Sequence, residues 1–255
     1  MADNGIRLDG KRTLITGASR GIGADIATTF ARAGAELILS GRDEAALRTQ
    51  AEQLRNDYGV RAEAVAADLS EPDAPARLAQ DAAGVFGGLD VLINNAGISY
   101  PEFVVDLTPA KFDEVLNVNL RAPALLAAVV GTAMAESGGG SIVTIASAAA
   151  LRALPEHYGY STSKAGLVMA TKVLALELGP RGVRANSVCP TVVLTDMGRK
   201  VWGEPAKSAP MLGRIPLGRF AEPVEVSIAA LYLASDLSAM INGVDLPVDG
   251  GYGIS

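Results

Sequence analysis

Short apolar runs alternate with longer helix-periodic segments along the whole chain, and this alternation restricts the fold more than any other feature of the 255 residues. The first run, Thr13-Leu14-Ile15-Thr16, is followed by an apolar-periodic stretch from Ile22 to Ala33. Further runs stand at Leu37-Ile38-Leu39, Ala62 to Ala66, Val91-Leu92-Ile93, Ser141 to Ile145 and Val183 to Val188, with a last one at Val244 to Val248. They lack the two-residue alternation of a strand with one wet face, so both faces must be covered. A strand–helix series does this as a parallel sheet with right-handed crossovers. The expected fold class is therefore α/β: a single-domain, Rossmann-type doubly wound parallel sheet of about seven strands with helices on both faces and a ligand crevice at the strands' carboxyl ends. No Ser/Gly or charged linker, repeat or low-complexity tract breaks the series, and 49% apolar content is ample for one core, so residues 1–255 read as one domain.

Between the first run and the first helix lies Thr16-Gly17-Ala18-Ser19-Arg20-Gly21-Ile22-Gly23. Its three glycines fall where a backbone must turn tightly, admit a pyrophosphate and let a helix pack on the sheet. The spacing is Gly-x-x-x-Gly-x-Gly, which on its own also suits a helix-entry turn with no ligand. Its place after a strand at the start of the domain favours dinucleotide binding. The second strand ends in Leu39-Ser40-Gly41-Arg42, with no acid to hold the ribose hydroxyls of an unphosphorylated cofactor. Arg42 and Arg20 could instead clamp a 2′-phosphate through forked, charge-assisted contacts, or both could be solvated beside Asp43. The cofactor expected is NADP(H), with NAD(H) left open.

Tyr160 and Lys164 are four residues apart, one turn on a helix face. A phenol is a poor acid or base at neutral pH unless a cation stabilises its phenolate, and an ammonium one turn away supplies that cation. An isolated pair at this spacing is also an ordinary surface contact. With the glycine loop, Asn94-Asn95-Ala96-Gly97, Asn119 and Ser147, thirteen residues before Tyr160, in the same order, the chain resembles the short-chain dehydrogenase/reductases over essentially its whole length. The resemblance implies that Tyr160 is the acid–base residue, that Lys164 holds the nicotinamide ribose and lowers the tyrosine pKa, and that Ser147 binds the substrate oxygen. It gives Asn119 a water that links Lys164 to solvent, with Asn117 the rival candidate. Gly17, Ser19, Arg20, Gly21, Ile22, Gly23 and Arg42 would face the adenosine and pyrophosphate half of the cofactor, with Asp68 near the adenine. Asn95, Gly97, Tyr160 and Lys164 would stand on the ribose side and Val193 and Thr195 near the carboxamide. Asp68 could instead cap a helix entered at Ser70-Glu71-Pro72.

Most family members read Pro-Gly after the sixth strand, whereas this chain has Pro190-Thr191. That departure, with Trp202, Met211-Leu212-Gly213-Arg214-Ile215-Pro216-Leu217-Gly218 and His157 three residues before the tyrosine, looks like the dicarbonyl and L-xylulose reductase branch. The branch implies a small polar ketone or alcohol as substrate, a ketose, polyol or α-dicarbonyl. Within the superfamily a 3-oxoacyl-thioester reductase or a gluconate or polyol dehydrogenase is the alternative, and outside catalysis a non-catalytic NADP(H)-binding regulator. His157 and Trp202, the one histidine and the one tryptophan, are candidate substrate contacts alongside Ser147 and Tyr160, although each residue type is more often a packing residue. Residues 195–215 would form a substrate lid, polar and mobile through Gly203, Glu204, Pro205 and Lys207.

A net charge of −6 argues against a nucleic-acid groove, and no metal site is expected. The single cysteine, Cys189, excludes an internal disulfide and reads as a small core hydrophobe. Met1 to Leu8 carries an early acid and no apolar leader core, and nowhere do 18 uncharged apolar residues run together, which points to a cytoplasmic protein with no membrane partner. The resemblance implies a homotetramer built on helices over Pro109 to Ala135 and Tyr158 to Leu178, the latter presenting Ala165, Ala170 and Ala175, and on the C-terminal segment.

Overall fold

The structure, a computed structural model, describes residues 5–255 apart from the side chains of Met197 and Lys207. The early acid Asp3 and the Lys207 side chain of the expected lid therefore lie outside the described residues. In chain order the elements are β1 (Arg12–Thr16), α1 (Gly21–Arg32), β2 (Glu36–Gly41), α2 (Glu44–Tyr58), β3 (Ala62–Ala66), α3 (Ala74–Phe86), β4 (Val91–Asn94), α4 (Pro109–Leu116) and α5 (Ala122–Glu136). They continue with β5 (Gly140–Ile145), α6 (Tyr158–Leu178), β6 (Val183–Pro190), α7 (Asp196–Trp202), α8 (Pro205–Leu212), α9 (Pro223–Ala234) and β7 (Asp245–Val248). The seven strands form one sheet in the order β3-β2-β1-β4-β5-β6-β7, and every neighbouring pair is parallel.

The unbroken apolar runs follow from this layering. Successive strand residues point to opposite faces, and both faces are roofed by helices. Ile15, Leu37, Leu39, Ile93 and Val143 pack with α1, α2 and α9, while their neighbours Leu14, Ile38, Leu92 and Ile142 pack with α3, α5 and α6. Each such Leu or Ile contributes about 1.5–3 kcal/mol on full burial. Strand order reverses between β1 and β4, so the crevice opens where the glycine loop leaves β1 and Asn94-Asn95 leaves β4.

The helix expected over Pro109 to Ala135 is interrupted: Asn117–Arg121 is a π turn joining α4 to α5. Pro123 has no N–H to give the carbonyl four residues back, and the Ala122 N–H reaches Asn117 O, five residues back. The span Pro109–Glu136 is, among the described residues, the one helix long and apolar enough to cross a membrane. Its inner positions Leu126, Val130 and Met134 pack into the core beneath the sheet. Residues 195–215, expected to form a lid, are largely helical, as α7 and α8 with Gly203 and Glu204 between them.

Candidate active site

The glycine loop is shaped by three different constraints. Gly17 has φ +65°, and a Cβ there would lie 2.9 Å from the Ala96 Cα. Gly23 sits where α1 meets the strand end, and its Cβ would fall 2.2 Å from the Gly17 carbonyl oxygen. Gly21 has φ +60°, and its Cβ would point at the Thr195 methyl, 3.4 Å away, across the space between loop and lid. No side chain caps α1: Arg20 precedes it without a capping bond, so the first N–H groups stay open to an anion. Arg20 is exposed, and Ser19 and Ile22 are partly so.

Asn95 braces this loop. Its Nδ2 donates to the carbonyls of Thr16, at 3.0 Å, and Gly17, at 3.2 Å. Thr16 Oγ1 in turn accepts the N–H groups of Asn95, at 3.0 Å, and Ala96, at 3.1 Å. Thus the donors of the asparagine expected on the ribose side are occupied in holding the backbone turn. Arg42 is exposed at the end of β2. The neighbouring Asp43 is engaged as the cap of α2, accepting the Ala46 N–H at 3.0 Å. Asp68 accepts the N–H of Ser70, at 2.9 Å, and its hydroxyl, at 2.8 Å. These bonds, with a smaller contribution from the Arg42 charge, hold its carboxyl below the ordinary range. The alternative of a helix cap needs correcting: α3 begins at Ala74 and not at Ser70, so Asp68 caps the turn before it.

Ser147, Tyr160, Lys164 and Asn119 converge at the carboxyl end of β5. Ser147 follows the strand in extended conformation, and its Oγ accepts the Ala149 N–H at 3.1 Å, turning the chain into a short 3-10 segment. Tyr160 and Lys164 share the first turns of α6. Burial pushes the Tyr160 phenol above its usual pKa, and a hydrogen bond with Ser147 pulls against that rise. Lys164 is only 4% exposed, and its Nζ donates to the Ile145 carbonyl at 2.8 Å, lying 5.8 Å from the Tyr160 ring centre. Burial lowers its pKa to about 8. In the free protein the Lys164 amine leans on a backbone carbonyl, and desolvation is the largest influence on both groups.

Asn119, not Asn117, is turned into the site; Asn117 is exposed. Asn119 lies inward within the π turn, one turn beyond the buried Val115, where its Oδ1 accepts the Ile98 N–H and its Nδ2 donates to the Ile98 carbonyl, both at 2.8 Å. Nδ2 also lies 3.2 Å from Ser163 Oγ, which donates to the Tyr160 carbonyl at 2.7 Å. One asparagine therefore ties the loop after β4 to the helix that carries Tyr160. Gly97 completes the floor: a Cβ there would sit 3.3 Å from Asn119 Oδ1 and 3.5 Å from Lys164 Nζ, in the space those two polar atoms flank. Cys189, buried behind this group, has its thiol pushed up to about 12 by burial, which fits an inert core residue.

Of the substrate candidates, His157 lies beside Tyr160 with ring centres 5.9 Å apart and nearly perpendicular planes, at 75°. Trp202 packs 5.7 Å from Phe220 in an apolar cluster that joins the lid to Ala148, next to Ser147. Val193 is buried and paired with Ala221, and Thr195 caps α7 by accepting the Gly198 N–H at 3.1 Å. Thr191 adopts no left-handed backbone, so the glycine expected there by resemblance is not required by this loop. Two features carried little signal in the sequence: the bracing role of Thr16, and Glu156, a non-glycine residue at φ +64° directly before His157.

The family described as enoyl-(acyl carrier protein) reductase matches residues 17–253. The chain is 44% identical to D-threitol dehydrogenase of Mycolicibacterium smegmatis over 99% of its own length and 96% of that protein. It is 40% identical to L-xylulose reductase of Bos taurus over 97% and 98% of the two chains. It superposes on the crystal structure of a gluconate 5-dehydrogenase from Burkholderia cenocepacia in complex with NADP and tartrate with a TM-score of 0.93, at 32% identity over 98% of each chain. With the parallel sheet, the glycine loop and the Ser147–Tyr160–Lys164 group in place, these likenesses show that the chain belongs to the short-chain dehydrogenase/reductase family and is an oxidoreductase.

Proposed function

We propose that the protein transfers a hydride between NADP(H) and a small polyhydroxylated carbonyl/alcohol pair, a ketose and its polyol. The observation that carries this reading is the hydrogen-bonded pair of hydroxyls, Ser147 and Tyr160, with the buried Lys164 amine one helical turn away. When bound, the nicotinamide supplies or accepts the hydride. The residues present fit such a cofactor: the glycine positions and the space over Gly97 are ones that a Cβ would fill, and the start of α1 is uncapped. Gly17, Ser19, Arg20, Gly21, Ile22 and Gly23 would hold the pyrophosphate half, Arg42 a 2′-phosphate and Asp68 the adenine side. Gly97, Lys164, Val193 and Thr195 would hold the nicotinamide half, with Asn95 keeping the loop in place.

In the reductive direction negative charge grows on the substrate oxygen, and Ser147 and Tyr160 are the donors that meet it. Tyr160 then gives up its proton. Because burial disfavours its phenolate, that step needs a positive Lys164, and a lysine with a pKa of about 8 is charged at neutral pH. Asn119 fixes the register of the helix that carries both residues. The substrate class rests on the relatives that act on threitol and L-xylulose.

The test is a matched assay of L-xylulose reduction and D-threitol oxidation beside an acetoacetyl thioester, each with the phosphorylated and unphosphorylated cofactor. The expected result is faster turnover of the sugars with the phosphorylated one. Preference for the thioester would overturn the substrate reading. Tyr160→Phe is expected to lose about 10²–10⁴ in kcat while still binding NADPH; turnover within a few-fold of the parent would overturn the mechanism.

A further inference from the structure

The connection between the two hydroxyls of the site, residues 148–157, is thinly held. Leu151, Ala153, Pro155 and Glu156 are exposed, so burial does little to fix its path. Among the described residues, two hydrogen-bonded anchors remote in sequence hold it. Near Tyr160, the Glu156 carbonyl accepts the Glu102 N–H at 2.8 Å. Nearer Ser147, Arg152 reaches the turn that follows β7. Its Nη1 donates to the Tyr252 carbonyl and to Ser255 Oγ, the latter at 3.2 Å, and its guanidinium carbon lies 4.9 Å from the Tyr252 ring centre.

That turn is a firm support. The Asp249 carboxylate accepts the N–H groups of Gly251, at 2.9 Å, and Gly253, at 2.8 Å. Tyr252 is 1% exposed and belongs to the apolar cluster that contains Ala148, Ile215 and Phe220. Arg214, just beyond α8, lays its own guanidinium 5.1 Å from the same ring centre, and its carbonyl accepts the Ser255 hydroxyl at 2.6 Å. Tyr252 and Ser255 therefore join the Ser147–Tyr160 connection to the segment that follows α8. A planar guanidinium can stack on a ring and donate in its own plane at the same time, which makes it a stiffer strut than an ammonium on a flexible stem.

We propose that Arg152 is a positioning residue: by fixing the connection to the turn after β7, it keeps Ser147 and Tyr160 in the register in which both hydroxyls meet one substrate oxygen. It acts through those two residues and not on the substrate itself. A misplacement of about 1 Å at a reacting centre costs on the order of 100-fold in rate, so a strut that holds the path between two donors to less than that is worth most of such a factor. The inference rests on the proposed carbonyl chemistry at Ser147 and Tyr160.

Arg152→Ala removes the strut and leaves a slot beside the Tyr252 ring and carbonyl that free guanidinium can occupy. With L-xylulose and NADPH the variant is expected to lose about 10- to 100-fold in kcat. It should bind NADPH within about twofold of the parent by fluorescence titration, and regain activity several-fold in millimolar guanidinium that leaves the parent's rate unchanged. Arg152→Lys keeps the charge without the planar fork and is expected to fall between the two; it carries the same comparison if the alanine variant does not fold. A kcat within about twofold of the parent overturns the assignment. So does a loss that neither guanidinium nor lysine relieves, because a general weakening of the fold would produce it. Either result leaves the Tyr160 mechanism standing. A parent inactive on both L-xylulose and D-threitol overturns the proposed function and this inference with it.

Discussion

Lys164 is a cation buried for a purpose other than stability, and its removal should strengthen the fold. The side chain is 4% exposed, its Nζ has the Ile145 carbonyl as hydrogen-bond acceptor, and burial brings its pKa from 10.5 to about 8. At 1.36 kcal/mol per pKa unit, the charged form is disfavoured by roughly 3 kcal/mol relative to the unfolded chain. Because the folded pKa is depressed, the unfolded chain binds the extra proton between pH 8 and 10.5. Stability from this group therefore rises with pH across that window and is lowest below it. Lys164→Met keeps the volume and removes the titration. It should be more stable than the parent at pH 7, by up to about 3 kcal/mol, less whatever the lost hydrogen bond contributed. The advantage should shrink by about 3 kcal/mol by pH 10.5, where both lysine forms are penalised little. Urea unfolding of the two proteins at pH 7, 8.5 and 10.5 reads this directly, and taking the difference cancels every other titrating group. A variant less stable than the parent at pH 7, together with a difference flat within about 1 kcal/mol, would refute the reasoning.

Other consequences are open to the same kind of measurement. Gly23→Ala would drive a Cβ to 2.2 Å from the Gly17 carbonyl oxygen, so dinucleotide binding, followed by fluorescence, should be lost and thermal stability should fall. Arg42→Asp should weaken NADPH and favour NADH, moving the ratio of their kcat/KM values by about 10-fold or more; an unchanged ratio would mean Arg42 is merely solvated. Carbonyl reduction by the free enzyme should decline as pH rises through about 8, because the charged Lys164 is the form that supports the phenolate. A kcat/KM profile flat to pH 9.5 would contradict this. The outer side of α5 and α6 exposes Leu125, Val129, Met169, Val173 and Leu176, the last at 78%. Val173→Glu with Leu176→Glu should shift a tetramer to smaller species by light scattering, whereas a monomeric parent would remove the proposed assembly.

What the sequence made legible follows from how local each signal is. The central strands announced themselves because burial on both faces keeps Leu14-Ile15, Leu37-Ile38-Leu39 and Leu92-Ile93 apolar without a break, with Leu14 and Ile15 facing opposite helix layers. Tyr160, Lys164 and Ser147 were legible because their spacing within one strand–turn–helix fixes their separation in space. Asn119 was less so: on a helix it stands about 200° from Asn117 and one turn beyond the buried Val115, but which of those faces turns inward is set by packing remote in sequence. Ala165, Ala170 and Ala175, expected on the assembling surface, do not share one helix face. Five residues advance a helix by about 140° beyond a full turn, so Ala175 enters the core while Ala165 stays exposed. The outer face belongs instead to Met169, Val173 and Leu176, at helical spacing.

The least legible features are those set by contacts remote in sequence, and they carry the functional detail. The Lys164 pKa follows from closure of β5, β6 and α6 around a single amine, and no residue near it in sequence reports that desolvation. Glu156 looks like any exposed acid until Glu102, fifty-four residues earlier, takes its carbonyl. Family motifs mark which residues perform hydride chemistry, since those sit on rigid elements at fixed spacing. Residues such as His157 lie outside those rigid spacings, and the setting of His157 depends on a carbonyl two residues back and on a loop from another part of the sheet.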